Sequence, residues 1–396
     1  MVIGVPTESS ADEKRVAIVP GVLPLLTKAG VKVVVERGAG ETAGFSDAMY
    51  LEQGASLASD RSRLLSMAEI FVQVHGLDLD TRRTDRNLPG QDQILIGLLN
   101  PLGASKAVGE LAARGVTSFA LELLPRISRA QSMDALTSMA SISGYKAVLM
   151  AAGLLGKMFP MMITAAGTIT PSRVFVIGAG VAGLQSIATA HRLGAVVQAY
   201  DVRPAVKEQV ESLGAKFVEL ELESKGAEAA SGYAADMGED FYRRQRELLT
   251  RVVAESDVVI TTAAIPGKKA PVLVTSEAVE GMRRGGVIID LASETGGNCQ
   301  LTQPGGTVDV RGVTVIGPLN LSSTVPYHAS QMYARNVTAF LLNLLKNGEL
   351  ALNLEDQIIR DTLLTHKGEV ANPVVRQSLG LPALTTSIGE LKRPDA

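Results

Sequence analysis

Residues 178–183 read Gly178-Ala179-Gly180-Val181-Ala182-Gly183, directly after the apolar run Val174-Phe175-Val176-Ile177. Glycines at this spacing, between a strand and a helix, can cradle a pyrophosphate. The first allows the tight bend, the second lets phosphate oxygens approach the backbone, and the third lets helix pack on strand. The helix-compatible run Leu184 to Leu193 would then turn its free N–H groups toward the anion. Asp201 follows, 18 residues after Gly183, at the end of Val196-Val197-Gln198-Ala199-Tyr200. A carboxylate there accepts hydrogen bonds from both ribose hydroxyls and repels a 2′-phosphate, which favours NAD over NADP. Asp201-Val202-Arg203 keeps a second reading open, because the Arg203 guanidinium could pair with a 2′-phosphate or with the adenosine. Thr262-Ala263-Ala264 leaves a further strand, where the nicotinamide half would lie; the plainer reading is an ordinary strand-exit turn. For the six glycine-turn residues, the plainer reading is a structural bend without a ligand.

Buried parallel strands must position these groups. Continuous apolar runs at Val174 to Ile177, Val196 to Tyr200, Lys216 to Val218, Val258 to Thr261, Val287 to Asp290 and Val313 to Ile316 give the rhythm of a Rossmann sheet. An earlier series, Val2 to Val5, Val31 to Val35, Ile70 to Val74, Ile94 to Leu99 and Thr117 to Leu121, predicts a second doubly wound lobe. The stretch from Ser330 to Ala396 reads as helices without a clear strand, packed back on the first lobe. The prediction is α/β, two doubly wound Rossmann-like domains with a cleft between them for the nicotinamide: residues 1–134 with 322–396, and residues 135–321. The polar segment from Glu219 to Arg246 reads as a surface insertion, with or without a role.

The bulk composition agrees with this class and excludes others. A chain of 396 residues exceeds what one core usually organises. Hydrophobic residues make up 46% and aromatics only 4%, as in parallel α/β proteins. A formal charge of −3 provides no basic field, so nucleic acid is not an expected partner. Cys299 stands alone, which excludes an intrachain disulfide or a multi-cysteine metal site. His75, His191, His328 and His366 lack metal-ligand spacing and are read as structural or exposed. The opening Met1 to Pro6 carries no signal-peptide pattern, and the most apolar stretch, Ala147 to Gly167, is interrupted by Lys157 and Pro160. A cytoplasmic chain with no direct membrane span is expected.

At Pro125-Arg126-Ile127-Ser128-Arg129-Ala130-Gln131-Ser132-Met133-Asp134 the sequence resembles the NAD(H)-binding component of proton-translocating nicotinamide nucleotide transhydrogenases. The likeness extends to Pro6-Thr7-Glu8 with Arg15-Val16-Ala17, to Met161 through Thr168, to the Gly178 turn and to Gly296-Gly297-Asn298-Cys299. The resemblance implies that Arg126, Gln131 and Asp134 form a catalytic loop at the nicotinamide, with Thr137 at the carboxamide. It also implies that Gly232 and Tyr233 tip a mobile loop over NAD(H), and that a hairpin over Met161 to Pro171 reaches across a homodimer. The implied reaction is direct hydride transfer between NADH bound here and NADP(H) on a partner subunit. The implied partners are an NADP(H)-binding beta subunit and a membrane-spanning alpha-2 subunit, with this chain peripheral on the cytoplasmic face. Without the resemblance, Arg126, Arg129 and Asp134 read as a solvated helix start.

Alanine dehydrogenases are similar over the same fold, the Thr7-Glu8 opening and Arg15. Their chemistry needs a Lys and a His, and alignment puts Gln73 and Asn100 at those places. Neither replacement carries charge or exchanges a proton near neutral pH, which argues against amino-acid oxidation. A silent NAD sensor is the third reading; it would bind without transferring hydride.

Overall fold

The computed structural model describes residues 1–75, 89–219, 239–265, 267–346 and 348–384. The chain divides into two compact units, Met1–Met139 with Ser323–Ala396, and Ala140–Ser322.

The first unit is built on an eight-stranded sheet in the order Glu369–Val370, Leu363–His366, Thr117–Ala120, Ile94–Leu98, Ile70–His75, Val2–Val5, Lys32–Glu36, Ser56–Ala58. The pairs from Thr117–Ala120 to Ser56–Ala58 are parallel. Their side chains are buried nearly throughout, which is why the sequence shows continuous apolar runs and no alternation. The expectation that the region from Ser330 onward holds no strand is corrected here. Leu363–His366 runs antiparallel to Thr117–Ala120 and folds back on Glu369–Val370. Lys367 and Gly368 both have positive φ, 48° and 89°, as a two-residue hairpin turn requires. The turn goes unnoticed in the sequence because Lys-Gly is not the usual Asn-Gly signature. Helix Pro326–Leu344 belongs to the same unit and buries Tyr333, Val337, Phe340 and Leu341.

The second unit has seven strands in the order Lys216–Phe217, Val196–Tyr200, Arg173–Ile177, Val258–Thr261, Val287–Asp290, Val313–Ile316, Thr307–Val310. All pairs are parallel except the last, a hairpin turning at Arg311 (φ 54°) and Gly312 (φ 87°). The strand order reverses between Arg173–Ile177 and Val258–Thr261, the topological switch point at which open α/β sheets bind ligands. One face of the sheet packs on Ala147, Val148, Ile187 and Ala190, the other on Leu249, Val253 and Val279. At an order of 2 kcal/mol per fully buried aliphatic side chain, these two layers fix the strand ends that carry the glycine turn.

Met162–Thr164 pairs antiparallel with Gly167–Ile169, so a hairpin forms within Met161 to Pro171. It is exposed throughout, Ile163 to 74%. Among the described residues, no helix is long and apolar enough to cross a membrane.

Candidate dinucleotide site

The glycine turn leaves the carboxyl end of Arg173–Ile177 and opens the helix Val181–Arg192 at the switch point. Each glycine has a distinct steric reason. Gly178 has φ +98°, and a Cβ there would stand 2.6 Å from Thr262 Oγ1. At Gly183 a Cβ would lie 1.8 Å from the Gly178 carbonyl oxygen, so only glycine lets helix and turn meet. A Cβ on Gly180 would meet nothing within 4 Å. Gly180 is the N-cap of the helix, and no side chain caps the first turn. Its open side is the space in which a pyrophosphate would lie against backbone N–H groups, with the helix N-terminus favouring its charge. The residues present therefore fit a dinucleotide.

Asp201 ends the neighbouring strand, and its Oδ2 accepts the Ala179 N–H at 2.8 Å, tying the acid to the turn. Gly178 N–H in turn donates to the Tyr200 carbonyl at 2.8 Å. Residue types alone leave Asp201 and Arg203 as rival selectors of the nucleotide, whereas the structure joins them in one ion pair at 2.9 Å.

Thr262, Ala263 and Ala264 follow Val258–Thr261 beside the turn. Thr262 Oγ1 donates to the Gly178 carbonyl at 3.0 Å. Asn298 holds Ala263 by both backbone groups: its Oδ1 accepts the Ala263 N–H at 2.9 Å, and its Nδ2 donates to the Ala263 carbonyl at 2.8 Å and to that of Pro271 at 2.8 Å. Asp290, fully buried, accepts from Thr261 Oγ1, Ala292 N–H, Cys299 N–H and Thr302 Oγ1. Asn298 and Asp290 therefore hold the rim of the site, a role that their types and order along the chain do not reveal. Gly144 is a further position that no sequence motif marks. A Cβ there would fall 2.1 Å from the Ala182 carbonyl, so it allows helix Ala135–Leu154 to press on the first turn of Val181–Arg192.

Arg126, Gln131, Asp134 and Thr137 lie in the first unit. Arg126 and Gln131 are exposed, Gln131 within the 3-10 segment Ser128–Met133. Asp134 accepts the Thr137 N–H at 2.8 Å and the Thr137 hydroxyl at 2.6 Å, which caps the start of helix Ala135–Leu154. Gly232 and Tyr233 fall outside the described residues.

The first unit also gathers buried charge. Arg15 donates to Glu13 through Nε at 2.7 Å and Nη2 at 2.5 Å, with side-chain exposures of 1% and 0%. His75, read from sequence as structural or exposed, approaches this pair with Nε2 at 3.0 Å from Arg15 Nη2 and 3.5 Å from Glu13. Asn100 has φ 45°, and its N–H donates to Glu122 at 2.6 Å. Glu8 accepts the N–H groups of Val74 at 2.6 Å and His75 at 3.1 Å. Loss of surrounding water pushes its carboxyl from 4.5 up to about 8, against the opposing Val74 hydrogen bond and with help from nearby Glu13. A folded-state value above the unfolded one means stability that is fully present below pH 4.5 and lost as pH rises through about 8. Wild-type thermal midpoints should therefore fall between pH 5 and pH 9 more steeply than those of Glu8→Gln, whose amide does not ionise; parallel profiles would show that Glu8 titrates normally.

A Rossmann sheet with this glycine turn, an acid after its second strand and a second α/β unit define a two-domain protein of the dinucleotide-binding class. The chain belongs to the alanine dehydrogenase/PNT family: the N-terminal domain of that family matches residues 4–143 and the C-terminal domain residues 147–373. It is 45% identical to the first part of the NAD(P) transhydrogenase alpha subunit of Rhodospirillum rubrum, over 95% of this chain and 99% of that protein. It is 43% identical to the protein of the same name from Rickettsia prowazekii, over 93% and 96%. The alanine dehydrogenase of Mycolicibacterium smegmatis is 26% identical over 96% and 98%. Among solved structures, a transhydrogenase from Sinorhizobium meliloti superposes with a TM-score of 0.84 at 40% identity, covering 93% of this chain and all of that one.

Proposed function

We propose that this chain is the NAD(H)-binding subunit of a proton-translocating nicotinamide nucleotide transhydrogenase. The observation that carries this is the glycine turn at the switch point, open at Gly180 and tied to Asp201. Gly178, Gly180, Val181, Ala182 and Gly183 hold the pyrophosphate, Asp201 and Val202 the adenosine ribose with Arg203 beside it on the same carboxylate, and Thr262, Ala263 and Ala264 the nicotinamide half. Arg126, Gln131, Asp134 and Thr137 serve the nicotinamide end. The hydride that bound NADH supplies passes directly to NADP⁺ held by a beta subunit. Such a transfer needs two aligned rings and a dry gap, and no proton donor from this chain. Gln131, neutral with both donor and acceptor, can bridge toward the second nucleotide without placing a charge in the gap. Proton movement takes place in the membrane subunits, alpha-2 among them, and this chain sits peripherally on the cytoplasmic face. The exposed hairpin Met162–Thr164 and Gly167–Ile169, which leaves the apolar Ile163 74% exposed, supports a homodimer through that arm.

An amino-acid dehydrogenase reading is disfavoured by Gln73 and Asn100, which stand where that chemistry needs a Lys and a His. The test mixes the purified chain and NADH with pyruvate and ammonium in one tube, and with an NADP⁺-loaded transhydrogenase partner in another. Oxidation only in the second tube is expected; oxidation in the first would make the chain an alanine dehydrogenase. Gln131→Asn should slow transfer to the partner by about a hundredfold, about 3 kcal/mol in the barrier, while NADH affinity changes little. Equal losses in both would remove Gln131 from the transfer step.

A further inference from the structure

Asp201 carries four donors on its two carboxylate oxygens. Oδ1 accepts the backbone N–H of Arg203 at 2.9 Å and its Nε–H at 2.9 Å. Oδ2 accepts the backbone N–H of Ala179 at 2.8 Å and an Nη2–H of Arg203 at 2.9 Å. A carboxylate offers about four lone-pair positions, so this set leaves none for a hydroxyl. The pair is sheltered, with side-chain exposures of 19% for Arg203 and 7% for Asp201, so water competes weakly for either partner. Two of the four bonds come from the main chain and fix the carboxylate to the turn. The other two come from the planar guanidinium fork, one to each oxygen. A ribose that presents its 2′- and 3′-hydroxyls to Asp201 needs the same two positions.

We propose that Arg203 is a latch on the adenosine ribose subsite: its guanidinium stands in for the ribose diol on Asp201 and must swing off for NAD(H) to bind. This deepens the dinucleotide reading given above and rests on it. Once the fork leaves, the N–H groups of Ala179 and Arg203 still hold the carboxylate in place, so the subsite opens without rebuilding the turn. The latch lowers apparent affinity by the fraction of molecules in which it is open. Closed in about nine molecules of ten, it weakens NADH binding about tenfold. Arg203 is then a determinant of affinity through competition, and not through contact with a phosphate.

The test is calorimetry on the full chain with NADH and with reduced nicotinamide mononucleotide, which lacks the adenosine ribose. Arg203→Met keeps the apolar stem and removes the fork. The variant should bind NADH about tenfold more tightly, bind the mononucleotide as the wild type does, and melt at a lower temperature in buffer because Asp201 has lost its cation. Should Arg203→Met fail to fold, Arg203→Lys keeps the charge without the fork and should shift NADH affinity in the same direction by less. Unchanged or weaker NADH binding by a folded variant, or an equal gain for both ligands, overturns the latch while leaving the dinucleotide site intact. No heat from wild type with NADH would remove the site itself, and the latch with it.

Discussion

Gly180→Val is expected to fold with nearly wild-type stability and to lose NADH binding by at least about a hundredfold, close to 3 kcal/mol. The two halves of that expectation have separate causes. Gly180 has φ −78°, an ordinary value for an L-residue, and a Cβ there meets nothing within 4 Å. Replacing an N-cap glycine with valine costs on the order of 1 kcal/mol or less. The branched methyls nevertheless enter the space through which a pyrophosphate reaches the backbone N–H groups, and a buried phosphate oxygen without its donors loses charge-assisted bonds. Calorimetry with NADH and a thermal melt on the same preparation check both halves. Wild-type affinity in this variant would place the phosphates elsewhere.

Gly183→Ala should behave in the opposite sense, losing stability first and binding as a consequence. The added Cβ would stand 1.8 Å from the Gly178 carbonyl oxygen and 2.9 Å from its carbon, both backbone atoms that no rotamer change can move aside. Helix Val181–Arg192 must back away from the turn, and with it Ile187 and Ala190 leave their places in the core. A cost of about 3 kcal/mol or more follows, at the upper end of overpacking penalties. Urea denaturation of the two glycine variants side by side makes the contrast: a strongly lowered midpoint for Gly183→Ala and one close to wild type for Gly180→Val. Equal midpoints would mean that helix and turn can separate without strain.

The sheet of the second unit is legible in the sequence because its strands are buried on both faces, and such strands read as unbroken apolar runs followed by glycine turns. The same logic fails where a strand is short and its turn chemistry unusual. Thr307–Val310 and Leu363–His366 both belong to hairpins whose turns are Arg311-Gly312 and Lys367-Gly368. A charged residue in the left-handed region gives none of the signal that Asn-Gly would. The steric roles of Gly178 and Gly183 can be read in advance, since spacing fixes them. Those of Gly144, Asn298 and Asp290 cannot, because they arise where distant segments meet. The Arg203–Asp201 pair and the approach of His75 to Arg15 belong to the same kind: which charges neutralise which is decided by packing and not by order along the chain.

The most direct measurement follows a label. NADH carrying deuterium at the transferred position of its nicotinamide C4 is mixed with this chain and an NADP⁺-loaded transhydrogenase partner, and the NADPH formed is analysed by mass spectrometry. Direct transfer predicts that the deuterium appears in NADPH, in water as solvent. Label lost to the solvent, or NADH left unoxidised by a competent partner, would contradict the account.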